Sequence, residues 1–206
     1  MITIIEYINV SGSFVFAISG ALIAIKKRLD PFGVLIVAFI TAVGGGTLRD
    51  ILLAKEVFWL YNTSMLYAVL AGAILAMVLK NRLDFFSKPM FFYDALGLGL
   101  FTITGVQIGL QNQLDNSICI LLGTVTGVFG GVLRDVMVNR IPVIFKKEIY
   151  ATASILGGFL YLLLLKLNIP NPYSQIIPVI FTILIRLAAV YFKVSLPTIY
   201  KKKHDQ

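Results

Sequence analysis

Charge is what this chain is short of. Only 14% of its 206 residues are charged, where a soluble domain carries about a quarter. A well-solvated globular surface is therefore excluded. A single cysteine, Cys119, cannot close an intrachain disulfide, and inside an apolar run it reads as plain packing. The one histidine, His204, stands near the last residue, far from any candidate partner. There is no nucleophile–base set, no metal-ligand spacing and no phosphate-binding loop after a strand, so neither an enzyme nor a resident metal or cofactor is expected. Met1 to Ile25 holds no lysine or arginine, hence no basic n-region of a secretory signal. The first apolar run is expected to be a permanent helix.

What the chain has in abundance is apolar residues, 58% by count with a mean hydropathy of +0.90. They come in runs of roughly 17–22, enough for a helix to cross about 30 Å of hydrocarbon. Seven spans are predicted, over 8–25, 33–53, 64–80, 91–110, 117–138, 150–167 and 174–193. The fold class is an all-α membrane protein, with the whole chain 1–206 as one membrane domain. The net charge of +8 would suggest nucleic acid in a soluble protein. Here the basic residues fall in the gaps between spans, so the bilayer is the expected partner and nucleic acid is not. With the N-terminus outside, the inner gaps and tail hold Lys26, Lys27, Arg28, Lys80, Arg82, Lys88, Arg140, Lys146, Lys147, Lys193 and Lys201 to Lys203. The outer gaps hold only Lys55 and Lys166. The positive-inside rule then puts the C-terminus in the cytoplasm. The Lys201 to Lys203 tail reads first as a topology anchor and second as a contact for anionic lipid.

Shifting the sequence by 85 residues brings Gly44-Gly45-Gly46-Thr47-Leu48-Arg49-Asp50 onto Phe129-Gly130-Gly131-Val132-Leu133-Arg134-Asp135 without a gap. Gly12 meets Gly97, Gly20 meets Gly105, Leu29-Asp30 meets Leu114-Asp115, Thr41 meets Thr126 and Gly72 meets Gly157. Repeat one covers about 6–80 and repeat two about 91–167, with the seventh helix, about 174–193, left over. Three spans per unit is an odd number, so the second unit enters the membrane in the opposite sense, as in the inverted repeats of many transporters. The seventh helix is expected to pack against the repeats or to build an oligomer interface.

Adjacent glycines at mid-span weaken a helix and permit a kink or an unwound turn, whose freed carbonyls can coordinate cations. Close helix contact through a small-residue face is the competing explanation. The Arg-Asp pair that follows tips the balance toward a pathway, because charge at membrane depth needs water or partners. The two motifs are not expected to pair with each other. Each arginine lies about 9 Å from the middle, toward opposite faces, leaving roughly 18 Å between them. Arg49 is expected to be neutralised by Asp50, or by Asn9 and nearby Glu6. Arg134 is expected to be neutralised by Asp135 or Asp94. Each pair would line a wet vestibule. Ser19, Thr41, Thr104 and Thr126 are candidate pore-lining hydroxyls. Tyr7, Trp59, Tyr61 and Tyr150, near span ends, read as an interfacial aromatic belt, and Arg186 as a residue with a structural partner.

These residues resemble the prokaryotic members of the trimeric intracellular cation channel (TRIC) family, whose domain is also described as glycine-transporter-like. The resemblance spans nearly the whole chain and rests on Gly-Gly-x-x-Arg-Asp in both repeats. It implies a homotrimer with one pore per protomer. The monovalent cations K⁺ and Na⁺ would pass between the second and fifth helices, kinked at Gly44, Gly45 and Gly46 and at Gly130 and Gly131. Arg49, Asp50, Arg134 and Asp135 complete the two motifs. Phe129 departs from the pattern, standing where the first copy has Gly44, and marks an apolar constriction rather than an equal kink. A secondary transporter for a small zwitterion such as glycine fits the repeat as well, with Arg and Asp each taking one substrate charge. The expected location is a prokaryotic inner membrane.

Overall fold

The computed structural model describes residues 4–83, 89–146 and 149–194. Among these residues seven α-helices form: α1 (Ile4–Lys26), α2 (Pro31–Leu52), α3 (Thr63–Leu83), α4 (Pro89–Gln111), α5 (Asn116–Met137), α6 (Ala151–Lys166) and α7 (Tyr173–Tyr191). Their ends fall within a few residues of the predicted spans, and no strand occurs among the described residues. Five helices are long and apolar enough to cross a membrane, while Thr63–Leu79 and Ala151–Lys166 are shorter apolar helices. Single-turn 3-10 segments follow α2 at Phe58–Leu60 and α5 at Val143–Phe145. Lys88, Lys147, Lys201 to Lys203 and His204 lie outside the described residues, as do the side chains of Glu6, Lys80 and Arg82.

Sequence punctuation explains the ends of α2. Pro31 occupies the first turn, where its missing N–H costs nothing, and the Asp30 carboxylate accepts from the Gly33 N–H at 2.8 Å. At its far end the Leu53 and Lys55 N–H groups close back onto the Arg49 and Asp50 carbonyls, and Ala54 takes the left-handed conformation at φ 51°. The end of α5 repeats this 85 residues later. Val138 and Arg140 close onto Arg134 and Asp135, with Asn139 at φ 52°.

The helices pack through equivalent small-residue contacts in the two halves. Lipid is as apolar as leucine, so helices in a membrane associate through van der Waals fit rather than through the hydrophobic effect. At the α1–α4 crossing the Phe16 and Phe101 rings lie 5.3 Å apart. Gly97 leaves room for Phe16, and Gly12 for Phe101. At the α2–α5 crossing a Cβ on Gly45 would run into the Thr126 carbonyl oxygen, and one on Gly130 into the Thr41 carbonyl oxygen. Both helices stay α-helical through their glycines. The expected unwound turn does not form. The glycines instead let two intact backbones touch, so their carbonyls remain hydrogen-bonded within the helix and are not free ligands.

The seventh helix breaks the symmetry. Gly72 lets α3 sit against the Phe14 carbonyl of α1, at 2.5 Å from a would-be Cβ. Its counterpart Gly157 on α6 faces Thr182 of α7 instead, and Gly99 of α4 faces the Val179 carbonyl of α7. Thus α7 packs into the second half, covering a share of the α4 surface that α6 would otherwise take.

Adding one methyl at the central crossing must push the α2 and α5 backbones apart, since no side chain there can move away. Gly45→Ala or Gly130→Ala should cost about 1–3 kcal/mol. Gly158→Ala, whose Cβ would meet only the side chains of Val106 and Ile120 at 3.3 Å or more, should cost much less. Thermal unfolding of the detergent-purified variants checks this.

Candidate functional site

The Arg-Asp pairs end their helices at opposite faces of the bundle, each within the last turn of α2 or α5. Every charged side chain of the motifs is buried, Arg49 at 2% and Asp50 at 4% exposure, Arg134 at 0% and Asp135 at 1%. The two motifs do not pair with each other.

At the first motif the Arg49 guanidinium meets Asp50 Oδ1, with Nε at 2.8 Å and Nη2 at 2.7 Å. It also lies 5.4 Å from the centre of the Phe58 ring. The second oxygen of Asp50 accepts from the Phe58 backbone N–H at 2.9 Å. One carboxylate thereby neutralises the arginine and ties the 3-10 segment back onto α2. Gly46 seats the Phe58 ring, which would lie 2.5 Å from a Cβ. Trp59 donates from its indole to Thr47 Oγ1 at 2.9 Å, and its ring packs edge-on against Phe39. Trp59 therefore belongs to this site as well as to the end of a span.

The second motif repeats the construction. Arg134 Nε donates to Asp135 Oδ1 at 3.1 Å, and Asp135 Oδ2 accepts from the Val143 N–H at 3.2 Å. Phe58 and Val143 are 85 residues apart, like the carboxylates that hold them. The second half then adds what the first lacks. Arg134 Nη1 donates to Asp94 Oδ1 and, at 2.8 Å, to Ser19 Oγ, while the Ser19 hydroxyl donates to the Met90 carbonyl at 3.3 Å. The Tyr150 phenol reaches Asp94 Oδ1 at 3.4 Å. Gly131 makes room for this group, since a Cβ there would lie 2.5 Å from the Tyr150 oxygen and 3.2 Å from Asp94 Oδ1. Asp94 Oδ2 and Arg134 Nη2 have no hydrogen-bond partner among the described residues.

The residues named from the sequence thus divide. Arg49, Asp50, Asp94, Arg134, Asp135 and Ser19 join the two charge clusters. Asn9 does not: its Oδ1 is buried without a partner among the described residues, and Arg49 is paired with Asp50. Glu6 has no described side chain. Thr41 and Thr126 donate to the carbonyls of Val37 and Leu122 on their own helices, both at 2.6 Å, and their hydroxyls pack at Gly20 of α1 and Gly105 of α4. They seal the α1–α2 and α4–α5 seams rather than facing a path between α2 and α5. Thr104 is likewise turned onto the Leu100 carbonyl at 3.0 Å. Phe129 is half-buried, and Leu133 fills the space opposite Gly44, at 2.5 Å from a would-be Cβ. The vestibules are charge-balanced as expected but closed to solvent, because the carboxylates and the neighbouring segments cover the guanidiniums.

Position at a span end places Tyr150 in an aromatic belt, and burial overturns that. It is 1% exposed, beneath the Arg186 guanidinium, whose carbon lies 4.9 Å from its ring centre. The two 3-10 segments carry no sequence signal beyond the repeat offset itself, because their role is to offer a backbone N–H.

Removing Asp94 strips the acceptor from Arg134 Nη1 while Asp135 still neutralises the guanidinium. Asp94→Ala should destabilise the fold by about 1–3 kcal/mol, the range for a buried donor left unsatisfied. Asn9→Ala at the equivalent position should cost far less, since Asn9 neutralises no charge. Unfolding midpoints in detergent distinguish the two.

Comparison with known proteins agrees with this construction. The family described as "Glycine transporter" matches twice, over residues 6–81 and 91–166. The UPF0126 membrane protein of Vibrio cholerae is 38% identical over 200 residues, covering 95% of this chain and 83% of that one. The UPF0126 inner membrane protein YadS of Escherichia coli is also 38% identical over 200 residues, covering 95% of this chain and 96% of the relative. Among solved structures, the TRIC trimeric intracellular cation channel orthologue from Rhodobacter sphaeroides superposes with a TM-score of 0.87 at 31% identity, over 93% of this chain and all of that one. The chain belongs to the glycine-transporter-domain family and is a member of its prokaryotic TRIC branch.

Proposed function

We propose that this protein is a cation channel of a bacterial inner membrane, conducting K⁺ and Na⁺ along α2 and α5. The observation that carries the reading is the pair of Arg-Asp motifs, one at each end of an α2–α5 crossing built on Gly45 and Gly130. The similarity to a TRIC cation channel across 93% of the chain supports it. The two halves are one three-helix unit used twice in opposite senses. The assembly is a homotrimer with one pathway per protomer, its N-terminus outside and its C-terminus in the cytoplasm. Anionic lipid is the second-choice partner of the basic tail.

Arginines beside a cation path would repel the ion. Their pairing removes that objection, since Asp50 answers Arg49, and Asp94 and Asp135 answer Arg134. The close contact at Gly45 and Gly130 makes this conformation a closed one. The path opens when the helices separate there, at a point lined by Leu133 and Phe129.

The family description "Glycine transporter" favours a second reading, a carrier of a small zwitterion. That mechanism needs an arginine and a carboxylate free to grip the two ends of the substrate. Here both motif arginines already hold their own carboxylates, which counts against it.

Purified protein in a planar bilayer under a KCl gradient separates the readings. Stepwise unitary currents reversing near the K⁺ potential are expected. Silence there, together with saturable glycine uptake into liposomes, would replace the channel with the carrier. Asp135→Asn, which removes the charge beside Arg134 and leaves one acceptor oxygen where Arg134 and Val143 use two, should reduce the current severalfold, whereas exposed Lys166→Ala should leave it unchanged.

A further inference from the structure

Arg186 is the one charged residue of α7, and it is fully buried at 0% exposure. A guanidinium carries five donors and a permanent charge, and at membrane depth protein must answer both. Among the described residues, answers come from the second half of the chain. Nη1 donates to the Ile149 carbonyl at 3.0 Å, and the planar group lies over the Tyr150 ring at 4.9 Å and the Phe91 ring at 5.8 Å. The side chain therefore clamps the two residues that lead into α6, and does so from a helix that has no counterpart in the repeat.

Depth brings this clamp to the second motif. Arg186 lies five residues before the end of α7, Asp94 five residues after the start of α4, and Arg134 three residues before the end of α5. At 1.5 Å per residue all three sit about 5–8 Å inside the same end of the bundle. Tyr150, held beneath Arg186, points its phenol at Asp94 Oδ1, the same oxygen that Arg134 Nη1 uses. Gly131 of the motif supplies the space for that phenol. The first half has none of this. Position 65, equivalent to Tyr150, is a methionine whose sulfur accepts from Ser13, and position 9, equivalent to Asp94, is an asparagine.

We propose that Arg186 is a positioning residue for the ion pathway. By fixing Ile149 and Tyr150 it sets the phenol against Asp94, and through Asp94 it sets how firmly Arg134 is held at the end of α5. The seventh helix thereby controls one of the two motifs and not the other. This rests on the channel reading of the same motif.

The test is a double-mutant cycle on single-channel open probability, using the full chain in planar bilayers. Arg186→Met and Tyr150→Phe should each shift open probability in the same direction by about twofold or more, the low end of coupling between contacting residues. The double variant should go no further than the larger single effect. Arg186→Lys keeps the charge but loses the planar fork, and should fall between wild type and Arg186→Met. Arg186→Met combined with Asp50→Asn, at the opposite face, should give the product of the two single effects. The proposal is overturned if the Arg186 and Tyr150 effects multiply, or if a folded Arg186→Met protein gates as wild type does. Should Arg186→Met fail to fold, the cycle runs on Arg186→Lys with Tyr150→Phe under the same criteria. A wild-type protein without current sinks the channel reading, and the cycle is then read on detergent melting temperatures with Arg186→Lys and Asp94→Asn. Non-additivity there sustains the linkage and additivity refutes it.

Discussion

A guanidinium cannot shed its proton, so an arginine buried in a membrane bundle dictates what surrounds it. Arg49, Arg134 and Arg186 are all essentially inaccessible, and each is answered differently. Arg49 has one carboxylate and an aromatic face. Arg134 has two carboxylates and a hydroxyl, drawn from α1, α4 and its own helix. Arg186 has among its contacts a backbone carbonyl and two rings. Most of the irregular structure among the described residues follows from these needs. The segments after α2 and α5 fold back because Asp50 and Asp135 each have a second oxygen to satisfy, and a backbone N–H eight residues on satisfies it.

Glycine makes the rest of the arrangement possible. Association between helices in lipid depends on fit, and fit is best where backbones approach. Gly12 and Gly97 admit the paired rings of Phe101 and Phe16, and Gly45 and Gly130 admit each other's helix at the centre. In the second motif Gly131 opens a pocket that Tyr150 fills, whereas Gly46 of the first motif seats Phe58. One residue type thus serves central contact and peripheral docking within three positions. An intact helix with a bare surface is cheaper here than an unwound turn, because unwinding would strand carbonyls with no water to receive them.

The two halves have diverged in a consistent direction. The second has Asp94 where the first has Asn9 and Tyr150 where the first has Met65, and it is joined by a helix that supplies Arg186. The second motif gains a carboxylate and a phenol beside an α7 that carries Arg186, whereas Arg49 meets one carboxylate, Asp50, among the described residues. This unequal anchoring gives a symmetric scaffold two ends that need not respond alike.

The sequence by itself determined the seven helices, their lengths, the offset of 85 and the side on which each arginine is paired. Each of these depends on local rules, namely hydropathy over a helix length, the rise per residue and charge patterning. It also pointed to Asp94, because depth along a helix can be counted. It did not distinguish a glycine that breaks a helix from one that lets two helices touch, since both leave the same gap in a helical wheel. Nor did it show which way the Thr41 and Thr126 hydroxyls turn, that Tyr150 leaves the interface for the interior, or that α7 displaces α6 from some of the α4 surface. Those are decided by which surfaces meet across the bundle, a property of the packed chain that no single segment carries.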